Sequence, residues 1–246
     1  MDSMDNAAAL LSAQVAACTR IFNNEGILDY SGHVSARLPD GSGFLIQSVN
    51  ASRAGLAPSD LFSLSLDGDI LAGPDDMRPC TEYHIHAEVY RARDDVNSVL
   101  HAHPDVVILF TIAKGAKLVI VRNHGYRWRT GVPVHPDTAH INSPQLGREM
   151  VETMGEHNVV LLRAHGIVLV SESVPALLID GVHFEELAHA ALELVPLGEP
   201  IPMSDAELDI FEQRLNREHH AEKLWTYYVS RGQDDGLIPK DWGSLI

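Results

Sequence analysis

Two histidines, His101 and His103, close the run Val99-Leu100-His101-Ala102-His103-Pro104. On a strand, residues two apart point to the same face, so both imidazoles can reach one metal ion. The end of an apolar strand just before a helix is also where α/β proteins place ligand sites. The competing reading is two surface histidines at a loop. A second run, Val159-Val160-Leu161-Leu162-Arg163-Ala164-His165-Gly166, again delivers a histidine from a buried strand, in front of a glycine that permits a close backbone approach or a left-handed turn. His165 alone would read as structural, and beside the first pair it becomes the third ligand. Glu82, which follows Cys80-Thr81 at a helix start, has three readings. It can simply favour the helix dipole, it can be a fourth ligand, or it can be a general acid/base with a raised pKa. Three imidazoles and a carboxylate suit one Zn²⁺, Mn²⁺ or Fe²⁺ per subunit and leave room for substrate oxygens.

These side chains need elements to hold them. The periodicity predicts helices over 7–22, 81–93, 105–113, 143–154, 175–195 and 205–230, with Thr81 a plausible N-cap of the second. It predicts strands over 30–38, 43–47, 61–66, 70–71, 96–102, 117–121, 158–162 and 167–171. Alternating strands and helices predict an α/β fold. Only 196–202 reads as a linker, so the expectation is one catalytic domain over 1–200 and a C-terminal helical tail over 201–246.

Composition limits the function. With 18 Lys and Arg against 34 Asp and Glu in 246 residues, the formal charge is −16. That argues against nucleic acid and against an anionic membrane face, but not against a small anionic substrate in a pocket whose field an arginine or a metal inverts. Two cysteines are too few for a disulfide framework, and the N-terminal stretch lacks the basic start and unbroken apolar run of a signal peptide. No segment has the roughly 18 apolar residues that span a bilayer. The expected location is the cytoplasm.

Of the remaining candidates, Arg53, Arg78, Arg122 and Arg163 can each hold a carboxylate bidentately, with Arg78 preferred for its place four residues before Glu82. His84 and His86 share the i, i+2 spacing, but on a helix that spacing diverges; His84 is the one expected to face the site. His124 is a candidate to touch substrate.

Taken together, Thr81-Glu82-Tyr83-His84-Ile85-His86-Ala87-Glu88-Val89-Tyr90-Arg91, the 99–104 run, Arg163-Ala164-His165-Gly166 and Ser31-Gly32-His33-Val34-Ser35-Ala36-Arg37 resemble the class II aldolase/adducin family. The resemblance covers roughly residues 8–195. It implies a single three-layer αβα domain with a central mixed sheet, and a homotetramer with its sites between subunits. It implies metal ligation by His101, His103 and His165, with Glu82 as catalytic acid/base that also contacts the metal when substrate is absent. It further implies that tail side chains close a neighbour's site, which makes Tyr227 a candidate proton donor in trans, alongside His219 and His220. The family's sugar-phosphate aldolases carry Gly-Asn where this chain has Gly32-His33, and two serines where it has Cys80-Thr81. Those positions cradle phosphate, so His33 and Thr81, with Arg78 and His84, are expected to meet a substrate that has none.

The expected activity is therefore that of a divalent-metal-dependent carbon–carbon lyase acting on a small carboxylate. Decarboxylation of a hydroxylated aromatic or heteroaromatic dicarboxylate through a metal-stabilised enolate comes first. An aldolase on a non-phosphorylated aldehyde or keto acid differs only in the leaving group. An Fe(II) oxygenase and a non-enzymatic adducin-like scaffold are the further alternatives.

Overall fold

Strand alternation sorts the apolar side chains onto two faces, and each face takes its own helices. The structure, a computed structural model, describes residues 2–242 and 245–246; residue 1 of the expected domain and residues 243 and 244 of the expected tail lie outside it. Eight strands form one sheet: β1 His33–Arg37, β2 Phe44–Gln47, β3 Leu61–Leu64, β4 Ile70–Ala72, β5 Ser98–Ala102, β6 Val134–His135, β7 Val159–Leu162 and β8 Gly166–Ser171. Their order is β4-β3-β2-β1-β5-β8-β7-β6. Every pair is antiparallel except β6 with β7, so the sheet is mixed, as expected.

On one face Leu100, Ala102, Leu161 and Leu169 meet α1 (Asp2–Asn24) and α5 (Val174–Glu193), with Val107 from α3 (Asp105–Ile112). On the other, Val99, Val160, Val168 and Val170 meet Ile85 and Val89 of α2 (Tyr83–Ala92) and Met150 and Met154 of α4 (Pro144–Met154). This is a three-layer αβα arrangement. Among the described residues no helix is long and apolar enough to cross a membrane.

Local chemistry explains the helix ends. Ser143 and Ser173 accept hydrogen bonds from Leu146 N and Ala176 N at the starts of α4 and α5, each with a proline in the first turn. Ser204 and Glu207 form a capping box on α6 (Asp205–Arg214). Trp225, Val229 and Ile238, in and after α7 (Arg217–Asp234), join the α1–α5 core, and Trp225 Nε1 donates to Leu245 O at 2.7 Å.

Three expectations fail for identifiable reasons. Residues 117–121 form no strand: Leu118, Ile120 and Val121 pack on the α5 side, and Ile120 O accepts from Met203 N rather than from a ladder. The single helix expected over 205–230 breaks at Leu215, which is extended, and Asn216 caps a new one by accepting from His219 N. The second helix begins at Tyr83, not Thr81, which leaves Glu82 at the N-cap with a side chain that makes no cap bond. The two-residue β6 was not anticipated.

Candidate metal centre

His101 and Glu82 form the middle of the site. His101 pairs with His33 across β5 and β1 and shares the face of Val99, toward α2. It is fully buried, and its Nδ1 donates to Ile167 O of β8 at 3.0 Å. A carbonyl can only accept, so in the neutral ring Nε2 is a bare lone pair turned into the site. His103 Nε2 lies 3.0 Å from that atom, with the two rings perpendicular, and Ser31 Oγ meets His103 Nδ1 at 3.0 Å.

His165 comes from the turn between β7 and β8. Ala164 before it has φ 55°, the one left-handed non-glycine among the described residues, a conformation costing of order 1–3 kcal/mol that points to a site over-determined by its surroundings. The left-handed position is therefore Ala164, while Gly166 supplies the close approach: a Cβ there would sit 2.3 Å from Ala102 O and 3.0 Å from His103 Cδ2. Gly32, at φ +81°, is crowded in the same way by His101 O.

Glu82 is buried beneath the imidazoles. Its carboxylate oxygens lie 3.5 Å from His101 Nε2, 3.7 Å from His165 Nε2, 3.3 Å from His140 Nε2 and 3.8 Å from His33 Nε2. Ile141 N donates to Oε1 at 3.3 Å. The donor atoms of Glu82, His101, His103 and His165 all lie within 4.8 Å of one another.

The charge state suits a cation. Burial, reinforced by the neighbouring imidazoles, pushes His103 down to about 3 and His165 to about 4, so both are lone-pair donors at neutral pH. Burial works to raise the Glu82 carboxyl, but the facing His101 and His33 rings outweigh it and hold Glu82 well below the usual carboxylate range. The raised pKa expected of an acid/base at this position is thus not what the site provides; Glu82 rests ionised.

Behind the carboxylate runs a buried chain of polar groups. His33 Nδ1 meets His86 Nε2 at 2.7 Å, His86 Nδ1 meets Ser35 Oγ at 2.6 Å, and Ser35 Oγ meets Tyr90 OH at 2.7 Å. His33 is 3% exposed, so it supports Glu82 from within instead of lining a substrate pocket. His86, set aside above, is the histidine of α2 that joins this network, whereas His84 does not. Glu82 and His86, four apart, share one helix face, and that signal could have found it. His140 lies on a loop and carried no signal.

This chain has a stability consequence. Burial lowers His33 from 6.5 to about 4, with Glu82 pulling the other way. The unfolded chain therefore takes up this proton first as pH falls, and stability declines between about pH 6.5 and pH 4. His33 alone accounts for about 3 kcal/mol across that window. Urea midpoints of the metal-free protein at pH 7, 5.5 and 4.5 should drop steeply; a flat profile would contradict the buried neutral network.

Arg78, Thr81 and His84 line an open groove of about 700 Å³ together with Cys80, Tyr83 and Asn142. Arg78 is exposed. Arg53 is buried and spends its donors on Gly32 O, Val49 O and Ala51 O, and Arg122 faces Glu186 at 3.4 Å. The other two expected catalytic groups are not brought to Glu82. His124 stacks on His183 at 3.8 Å, and Tyr227 is exposed on α7 against Tyr228.

Comparison with known proteins adds a second line of information. Residues 13–192 match the model of the Class II Aldolase and Adducin N-terminal domain. The 3,4-dihydroxyphthalate decarboxylase of Arthrobacter keyseri is 30% identical over 232 residues, 88% of this chain and 92% of that one. The protein of the same name from Rhodococcus jostii is 32% identical over 220 residues, 84% and 88% of the two chains. In fold, the chain resembles an aldolase II superfamily protein from Pseudomonas syringae, with a TM-score of 0.82, 21% identity and coverage of 94% and 95%.

Proposed function

Because the chain belongs to the class II aldolase and adducin family, we propose that it is a divalent-metal-dependent lyase that decarboxylates a hydroxylated aromatic dicarboxylate of the 3,4-dihydroxyphthalate kind. The observation that carries this reading is the convergence of Glu82, His101, His103 and His165 donor atoms within 4.8 Å of one another. The substrate class is supported by the two relatives with that printed activity, each matched over most of its length.

The donor set fits a divalent ion. The 3.0 Å between His101 and His103 Nε2 is close to the about 3.3 Å that separates two nitrogens on a tetrahedral zinc. Three neutral imidazoles with one carboxylate suit Zn²⁺, Mn²⁺ or Fe²⁺. When bound, such an ion would supply Lewis acidity for the charge that C–C cleavage leaves behind.

The protein's own residues bind and manage protons. Arg78 holds the carboxylate that is retained, and the Thr81 hydroxyl and His84 orient the ring. Loss of CO₂ leaves a carbon that must gain one proton. Glu82 rests ionised and cannot give one until it has received one. His140, 56% exposed and 3.3 Å from Glu82 Oε2, is the route by which solvent reloads it. The His33–His86–Ser35–Tyr90 chain keeps the carboxylate in place.

In this reading the catalytic body ends near residue 200, and the helices after it form a tail. A homotetramer places Tyr227, exposed on α7, over a neighbour's groove as an additional proton donor. The protein works in the cytoplasm.

The test is CO₂ release from 3,4-dihydroxyphthalate by purified protein, before and after chelation and after readdition of Mn²⁺ or Zn²⁺. Release that stops and returns supports the proposal. Chelator-insensitive release overturns the metal role. Aldehyde formation from a hydroxy-keto acid panel, without CO₂ release, moves the function to aldol cleavage.

A further inference from the structure

On the opposite side of the sheet a second group of histidines converges. His124 lies in the 3-10 segment Asn123–Trp128, His183 in the middle of α5, and His220 in the first turn of α7. One ring nitrogen from each lies within 4.8 Å of one from each of the others. The rings are nearly parallel, at 3.8 Å for His124 and His183, 5.6 Å for His183 and His220, and 6.0 Å for His124 and His220. We propose that His124, His183 and His220 form a second divalent-cation site, selective for an imidazole-seeking ion such as Zn²⁺.

Four observations carry the proposal. First, His220 Nε2 is buried with no hydrogen-bond partner among the described residues. A buried polar atom left unmade costs about 1–3 kcal/mol, which a metal bond would remove. Second, all three imidazoles are held neutral, chiefly by burial, with His183 at about 3, so their lone pairs are free. Third, both arginines nearest the group are paired, while Lys223, which also acts on His220, has no ion-pair partner among the described residues. Arg122 faces Glu186, and Arg217 pairs with Glu172 and Asp180. Fourth, one carboxylate fixes the three backbones. Asp180 on α5 binds Arg217 of α7 and Arg127 of the 3-10 segment, and a histidine lies three residues along each element from that junction, at 183, 220 and 124.

Closing the nitrogens from within 4.8 Å to the about 3.3 Å of a tetrahedral ion requires the stacked rings to turn so that their in-plane lone pairs meet at one point. The fourth position is left to water or an exogenous ligand. His183 belongs to the helix packed on the face of Leu100 and Ala102, whereas His101 and His103 share the face of Val99, so the two sites have no ligand in common.

The experiment is zinc stoichiometry by mass spectrometry on the full chain, stripped, reloaded with Zn²⁺ and desalted. Wild type should hold two equivalents, His103→Ala one, His220→Asn one and the double variant none. His183→Gln is measured in parallel, with circular dichroism confirming the fold. In the wild type itself, three further histidine ring-proton resonances should move on the second equivalent. If the Glu82 centre holds no ion, wild type keeps one equivalent, lost in His220→Asn and retained in His103→Ala. Equal zinc in wild type, His220→Asn and His183→Gln, or zinc-shifted resonances that are all unchanged in His220→Asn, overturns the proposal.

Discussion

His103→Ala should abolish CO₂ release while leaving the fold intact. His103 follows the last residue of β5, and its ring touches His101, His165 and Ser31 but packs into neither apolar core. Truncating it removes one of three imidazole donors and leaves the sheet alone. Loss of a residue that merely orients a ligand already costs about 10–100-fold in affinity or activity, so loss of a ligand should exceed about 100-fold in both. Glu82→Gln makes the complementary change: it keeps the shape and the Ile141 N–H bond but removes the charge and the proton acceptor. A fall of about 10²–10⁴ in kcat is expected, the range for a general acid/base group. Metal retention and kcat measured on both variants test this. A His103→Ala protein that keeps its metal and more than a tenth of its activity would remove this histidine from the centre.

Asp180→Asn should be strongly destabilising although it is conservative in shape. Asp180 is 1% exposed on α5. Its carboxylate takes Arg217 Nη1 and Nη2 at 3.1 and 2.8 Å, Arg127 Nη2 at 3.1 Å and the Ser171 hydroxyl. One side chain thus joins β8, the 3-10 segment and α7. The amide keeps the volume but faces two guanidinium groups without a charge, and one of its two terminal atoms now donates toward donors. Breaking a buried ion pair from one side costs about 3–5 kcal/mol, a large share of the about 5–15 kcal/mol that holds a domain together. Urea unfolding should show the midpoint fall with the slope unchanged. A loss under about 1 kcal/mol would mean that the network contributes little.

The sequence disclosed the parts of this architecture that depend on local periodicity. Strand parity was enough to put His101 and His103 on one face, because β5 is short, regular and flanked by apolar neighbours. It also placed a histidine after β7, and the mixed αβα sheet followed from the family motifs. Strand parity does not apply to His84 and His86 on α2; the i, i+4 helix spacing from Glu82 to His86 was the signal that could have picked out His86, which joins the network through His33 and Ser35. His33 looked like a substrate contact because its position was read from relatives, whereas its burial follows from the β1–β5 pairing. The 117–121 segment has the β-branched composition of a strand, but strands need a partner edge and this one has only Met203. The grouping of His124, His183 and His220 had no local signature at all, because it arises where three elements distant in sequence cross.

The pairing of β5 with β1 on one side and β8 on the other has a kinetic meaning. The central strand finds its two neighbours in segments far before and far after it, and such non-local closure is slow. Glu82, His101, His103 and His165 are assembled by this non-local closure around β5 and by no local element alone. An ion bound by these four groups would favour the native state they complete, and would so lengthen its lifetime against unfolding.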